Sequence, residues 1–249
     1  MKLSIFGLGY VGCVSAACFA KAGHEVIGVD VNPLKVDIIN EGQSPIVEPG
    51  IKTLICEAVK QKRLRATSDA QEAVEGTDIS LVCVGTPGNH NGSLNLTFVK
   101  RVCQQIGEAL AAKARYHIVV MRSTMLPGTI AETVVPMLEV YSGKRAGRDF
   151  SVAVNPEFLR EGASIHDFHN PPFTLIGADD ADATEPLRNL YRHIDAPIIC
   201  LGIKEAEMVK YASNCFHALK VTFANEIGNI CKAMGVDSHE VMDAFCKDT

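Results

Sequence analysis

The chain has 249 residues, 47% of them hydrophobic and 21% charged, with a formal net charge of −5 at pH 7. Length and apolar content suffice for a sizeable core and exclude a disordered or collagen-like chain. The acidic balance speaks against nucleic acid or an anionic membrane as a general partner, and an anionic small molecule would need cations gathered locally.

The nine cysteines are scattered without a CxxC pair or metal-ligand spacing. They read as reduced thiols packed as small hydrophobes, and no metal site is expected. MKLSIF is interrupted by glycines too soon for a secretory leader, and no apolar stretch approaches the length of a membrane span. The expectation is a soluble, cytoplasmic protein.

Lys2 to Phe6 is a short apolar strand, and EVIGVD (25–30) is a second. The small-residue stretch between them predicts a helix with Gly23 just past its end. Further buried-strand candidates are ISLVCV (79–84), HIVVMR (117–122), FSVAVN (150–155), FTLIG (173–177) and PIIC (197–200). Helical patterns fall near 33–41, 50–62, 95–113, 128–140 and 183–193. Strands alternating with helices predict an α/β fold with a mostly parallel sheet covered on both faces.

Beyond residue 203 the pattern changes. Glu205 to Met234 holds no proline and only one glycine, Gly228, which predicts a helix of about 45 Å. Such a helix is expected to leave the first domain and pack against a second domain or another subunit. VDSHEVMDAFC (236–246), with Ser238 as cap, predicts one more helix. The expected domains are therefore 1–202 and 203–249.

GLGYVG (7–12) follows the first strand directly. In a GxGxxG loop Gly7 makes the sharp turn, Gly9 admits a pyrophosphate close to the backbone, and Gly12 lets the helix pack on the sheet. The helix start then offers free N–H groups and a partial positive charge to phosphates. Asp30 closes the second strand, where a carboxylate accepts both ribose hydroxyls and repels a 2′-phosphate, so NAD is expected rather than NADP. Asn32-Pro33 starts a helix carrying Lys35, within reach of the adenosine. Thr86 in VGTP and Thr124 in RST stand at the carboxyl ends of later strands, which line the ligand crevice of an open parallel sheet.

On the long helix Lys210, Asn214, His217 and Asn225 fall within an arc of roughly 80°. Met208, Cys215, Phe216, Leu219, Phe223 and Ile230 lie on the far side. The polar seam is either a solvated face or a functional one. Lys210 and Asn214, four residues apart, present two hydrogen-bond donors side by side, as stabilisation of an oxyanion requires. NPEFLREG (155–162) reads as a helix start, with Asn155 as cap, Pro156 at the first position and Glu157 and Glu161 sharing a face. Its acids are either favourable charges near the helix dipole or a pair in which one carboxylate acts as general base. His166 and His169 have no third ligand type near them, so zinc is not expected.

Taken together, GLGYVG, SPIVEPG (44–50), VGTP (84–87), RSTMLPGT (122–129), NPEFLREG, KYASN (210–214) and FANEIGN (223–229) resemble the nucleotide-sugar 6-dehydrogenase family over essentially the whole chain. Residues 214–230, with His217, are most similar to its GDP-mannose-oxidising members, with UDP-glucose oxidisers the alternative. The resemblance implies a doubly wound, Rossmann-type sheet followed by a long helix that opens an all-α dimerisation region. It also implies a four-electron, NAD-dependent oxidation of a sugar C6 alcohol through a thioester on cysteine. By position Gly7, Gly9, Tyr10, Val11, Gly12, Asp30, Lys35, Thr86 and Thr124 would contact NAD. Thr124 and Glu161 would hold or activate water, and Lys210 and Asn214 would stabilise the oxyanion. His217 and Asn225 would bind the sugar nucleotide, together with Glu161, Lys210 and Asn214, and the long helix would form a homodimer core. The family's nucleophile lies in a glycine-rich loop with no counterpart in these residues. Cys246, on a predicted helix, is no substitute, so incomplete turnover is expected of this chain alone. A non-catalytic dinucleotide-binding module and a β-hydroxyacid dehydrogenase are the other readings.

Overall fold

The computed structural model describes residues 1–247. The chain divides into two compact units, Met1–Met208 and Val209 onward. Eight strands form the sheet of the first unit: β1 Lys2–Phe6, β2 Glu25–Val29, β3 Leu64–Thr67, β4 Ile79–Val82, β5 Ile118–Met121, β6 Ser151–Val154, β7 Thr174–Gly177 and β8 Ile198–Leu201. Their order is β3-β2-β1-β4-β5-β6-β7-β8, parallel throughout except between β6 and β7. The order reverses direction between β1 and β4, which is where a doubly wound sheet opens its crevice.

The helices that bear on the site are α1 Tyr10–Lys21, α2 Pro33–Asn40, α3 Ile51–Lys60, α4 Ala70–Glu75 and α5 Thr97–Ala112. They continue with α6 Val135–Ser142, preceded by a π-helical turn over Ile130–Val134, α7 Ser164–His169 and α8 Ala181–Tyr191. All seven expected strands form. β3 was missed because Leu64 and Ala66 point inward while Arg65 points to solvent, an alternating edge pattern rather than an apolar run. The brief α4 was missed too; Asp69 caps it by accepting from the Glu72 amide.

Strands buried on both faces explain the apolar runs of β1, β4 and β5, interrupted inside the sheet by Ser4 and Ser80. Phe6, Phe19, Phe150, Leu3, Ile5 and Leu8 are among the largest fully buried side chains, each worth about 1.5–3 kcal/mol in transfer from water. A polar thread crosses this core. His117 is fully buried, with Nε2 2.7 Å from the Ser80 hydroxyl and Nδ1 2.9 Å from the Lys113 ammonium. Ser80 in turn meets Ser4 at 2.7 Å. An ammonium can only donate, so the His117 proton sits on Nε2. Burial, aided by Lys113, pushes the imidazole down to about 3.

Two sequence expectations fail here. NPEFLREG is not a helix start: residues 155–160 form no regular element, and α7 begins only at Ser164. Asn155 is unavailable as a cap because its carbonyl oxygen accepts from Arg122 and Tyr191 and its amide donates to the Leu175 carbonyl at 2.7 Å. Glu157 accepts from the Leu159 amide at 2.8 Å, a local bond that competes with helix. Glu157 and Glu161 therefore share no helix face.

The second failure is at the far end. The last helix, α10 Ser238–Phe245, is capped by Asp237, which accepts from the His239 and Glu240 amides, and not by Ser238. Between β8 and α10, α9 runs over Ile203–Met234. It starts where the second expected domain starts, and the division between compact units falls six residues later, inside it.

Candidate cofactor crevice

The sharp turn after β1 is made by Gly7, whose φ of +94° suits glycine alone and whose amide donates to the Val29 carbonyl at 2.8 Å. A Cβ on Gly12 would lie 1.8 Å from the Gly7 carbonyl oxygen, so the third glycine is what lets α1 start this close to the turn. Leu8, between the first two glycines, is fully buried and lies against Gly28 of β2, where a Cβ would meet Leu8 at 2.7 Å. Gly9 differs: a Cβ there meets nothing within 4 Å. Cys13 is the first amide of α1 with a helical acceptor, the Gly9 carbonyl at 2.9 Å. The N–H groups of Tyr10, Val11 and Gly12 precede it and have no acceptor within the helix.

These elements border a cleft of about 260 Å³, lined by Gly7, Gly9, Asp30, Lys35 and Cys83 among others. The Asp30 carboxylate accepts from the Leu8 amide at 2.8 Å and the Asn32 amide at 2.9 Å, and pairs with Lys35 at 3.3 Å. Three donors leave part of its acceptor capacity for a ribose hydroxyl. Asn32 caps α2 as expected, by accepting from the Leu34 amide at 3.0 Å, and this puts Lys35 beside Asp30. Val31 and Phe98 line the same cleft though 68% and 48% exposed, and offer apolar walls to a purine; Arg101 lines it too. Open space at Gly9, free amides at a helix start and a clasping carboxylate together fit a dinucleotide.

Thr86 and Thr124 come together at the carboxyl ends of β4 and β5, the Thr86 hydroxyl donating to the Thr124 carbonyl at 2.7 Å. The loop bearing Thr124 is held by Glu207, near the start of α9. This buried carboxylate accepts from the Gly128 amide at 2.6 Å and the Ile130 amide at 3.1 Å, and burial raises its pKa. Cys83 lies in the cleft wall, and burial pushes its thiol up to about 12. Glu161 is exposed on its loop.

Glu48, in SPIVEPG, has a larger part than the sequence suggested. It is 7% exposed and accepts from the Tyr10 hydroxyl, the Gly162 amide at 2.8 Å and the Ser164 amide at 2.9 Å. Burial works to raise its pKa, but these hydrogen bonds outweigh it and hold the carboxyl below its ordinary value. Of the residues expected on α9, Lys210 is buried, whereas Asn214, His217 and Asn225 are exposed.

Residues 1–195 match the NAD binding domain of the UDP-glucose/GDP-mannose dehydrogenase family, and residues 204–249 match its central domain. The chain belongs to the UDP-glucose/GDP-mannose dehydrogenase family. NAD is accordingly the cofactor of this domain. Among family members, the chain is 55% identical to the GDP-mannose 6-dehydrogenase of Pseudomonas syringae pv. syringae, over all of this chain and 57% of that protein. It is 42% identical to a UDP-glucose 6-dehydrogenase of Haloferax volcanii, again over its whole length and 59% of the relative. A ternary complex of GDP-mannose dehydrogenase from Pseudomonas aeruginosa superposes with a TM-score of 0.97 at 53% identity, covering all of this chain and 57% of that one. The chain thus spans little more than half the length of the family members it matches.

Proposed function

We propose that this chain carries the coenzyme-handling part of the oxidation of the C6 alcohol of GDP-mannose to GDP-mannuronate, a precursor of alginate-type polysaccharide, in the cytoplasm. The observation that carries the choice of sugar nucleotide is the gap in identity: 55% to a GDP-mannose enzyme against 42% and 37% to two UDP-glucose enzymes. NAD, when bound, supplies the hydride acceptor. On this reading Gly7, Gly9 and Gly12 with the Tyr10 and Val11 amides seat the pyrophosphate, Asp30 and Lys35 hold the adenosine ribose, and Thr86 and Thr124 border the rest of the coenzyme.

Thr124 and Glu161 then hold the water that the second oxidation consumes. Lys210 and Asn214 donate to the oxyanion that develops on the substrate, and His217 and Asn225 bind the sugar nucleotide. Phe216, Leu219 and Ile230 stay 58%, 63% and 53% exposed on α9; an apolar face of this kind supports self-association as a homodimer.

The test is a chimera in which this chain replaces the matching residues of the P. syringae relative, offered NAD with each sugar nucleotide. NADH formation with GDP-mannose is expected. Formation with UDP-glucose alone moves the assignment to that substrate. NAD binding without NADH from either would identify a non-catalytic module.

A further inference from the structure

Two loops far apart in sequence meet on one side chain. Tyr10 is the first residue of α1, so its backbone belongs to the turn that faces the pyrophosphate, while its phenol points away to Glu48. The Gly162 amide is shared between the Glu48 carboxylate at 2.8 Å and the Tyr10 oxygen at 3.0 Å. The other Glu48 oxygen takes the Ser164 amide at 2.9 Å, and the Ser164 hydroxyl oxygen lies 3.2 Å from the Tyr10 oxygen. Gly162, with φ +86°, directly follows Glu161. The segment before it, residues 155–160, forms no regular element; it is held at Asn155 by Arg122, Tyr191 and Leu175 and at Arg160 by Asp167 at 2.7 Å.

We infer that Glu48 is a positioning residue that transmits NAD occupancy from the first turn of α1 to the loop carrying Glu161. It does not line the cofactor crevice. A carboxylate is required because three donors converge on it, and a buried acceptor of that capacity must be ionised. When a pyrophosphate immobilises the Tyr10 backbone, the phenol is held in the position that closes the Glu48 cluster, so the 160–164 segment opens less often. By linkage the closed segment must favour NAD by the same factor by which NAD slows its opening.

The inference rests on NAD occupying the glycine turn, and the experiment measures that separately. Amide exchange at Gly162 and Ser164 is followed by NMR on the full chain, with and without NAD, while calorimetry on the same samples reports binding. NAD is expected to slow both amides by about fivefold or more. Glu48→Gln, which cannot accept from Tyr10 and two amides at once, is expected to abolish the slowing and weaken NAD by the same factor. Tyr10→Phe removes the hydroxyl and keeps the ring, and gives the same result if the Glu48 variant fails to fold. NAD bound without slowing, or slowing retained in the variants, overturns the inference. Absence of binding heat in the unaltered chain overturns the cofactor reading, and the inference falls with it.

Discussion

The Asp30 carboxylate lies 3.3 Å from the Lys35 ammonium, and both line one end of the cofactor crevice. Asp30 is the only carboxylate among the described lining residues there, beside the cations Lys35 and Arg101. Asp30→Ser removes the ribose acceptor and the single repulsive group for a 2′-phosphate, while the cations remain. NAD affinity should fall by about tenfold or more, the worth of one charged hydrogen bond, and the preference over NADP should collapse. Titration with both dinucleotides checks this; undiminished NAD preference would show that discrimination lies elsewhere.

The second and third loop glycines should respond in opposite ways. Gly12→Ala forces a methyl to 1.8 Å from the Gly7 oxygen, so the turn must shift and stability should drop by about 1–3 kcal/mol, as in overpacked cores. Gly9→Ala meets nothing within 4 Å. Its melting temperature should stay put while NAD affinity falls by about tenfold or more. Thermal melts paired with calorimetry separate the two effects, and a destabilised Gly9 variant would count against the geometry.

Stability should decline on the acid side. Burial lowers His117 to about 3, and burial followed by the N-terminal amine lowers His24 to about 4. Both are neutral in the fold but titrate near 6.5 when unfolded. The unfolded chain therefore binds more protons below that pH, so stability is complete above about 6.5 and is lost as pH falls toward 4 and then 3. Melts across this range should show the decline. His117→Gln, which does not titrate, should lower the melting temperature at neutral pH yet flatten the slope. A level profile in the unaltered chain would refute the burial of neutral imidazole.

Thiol labelling should sort the cysteines by environment. Burial pushes Cys13, Cys18, Cys83 and Cys103 up to about 12, and the nucleophile is the thiolate. Cys215 and Cys246 are exposed. A maleimide at neutral pH should therefore modify the exposed pair first, spare the buried Cys13, Cys18 and Cys103 until denaturant is added, and reach the part-buried Cys83 only slowly. Rapid modification of Cys83 would count against its raised pKa.

The sheet was legible because strands covered on both faces need continuous apolar runs, and ILE-VAL-rich segments such as 118–121 have no other stable use. The glycine loop was legible for a related reason: each glycine answers a steric demand that no other residue meets. β3 escaped because an edge strand keeps one face wet. NPEFLREG misled because Asn155, a favourable cap by type, is committed to Arg122 and Tyr191, partners 33 and 36 residues away. Glu48 and Glu207 escaped for the same reason: each serves amides on a remote loop, and nothing local marks a carboxylate as an acceptor for backbone distant in sequence. Thr86 and Thr124 meet as their positions implied, since strand ends converge whatever residue stands there.

Leu8 seated on Gly28 fixes the shape of the phosphate turn from beneath, through core packing alone. The turn through Gly7 and Leu8 is thus shaped during folding, and the loop-ordering entropy left to a diphosphate proposed to sit there is confined to the Tyr10 end of the seat.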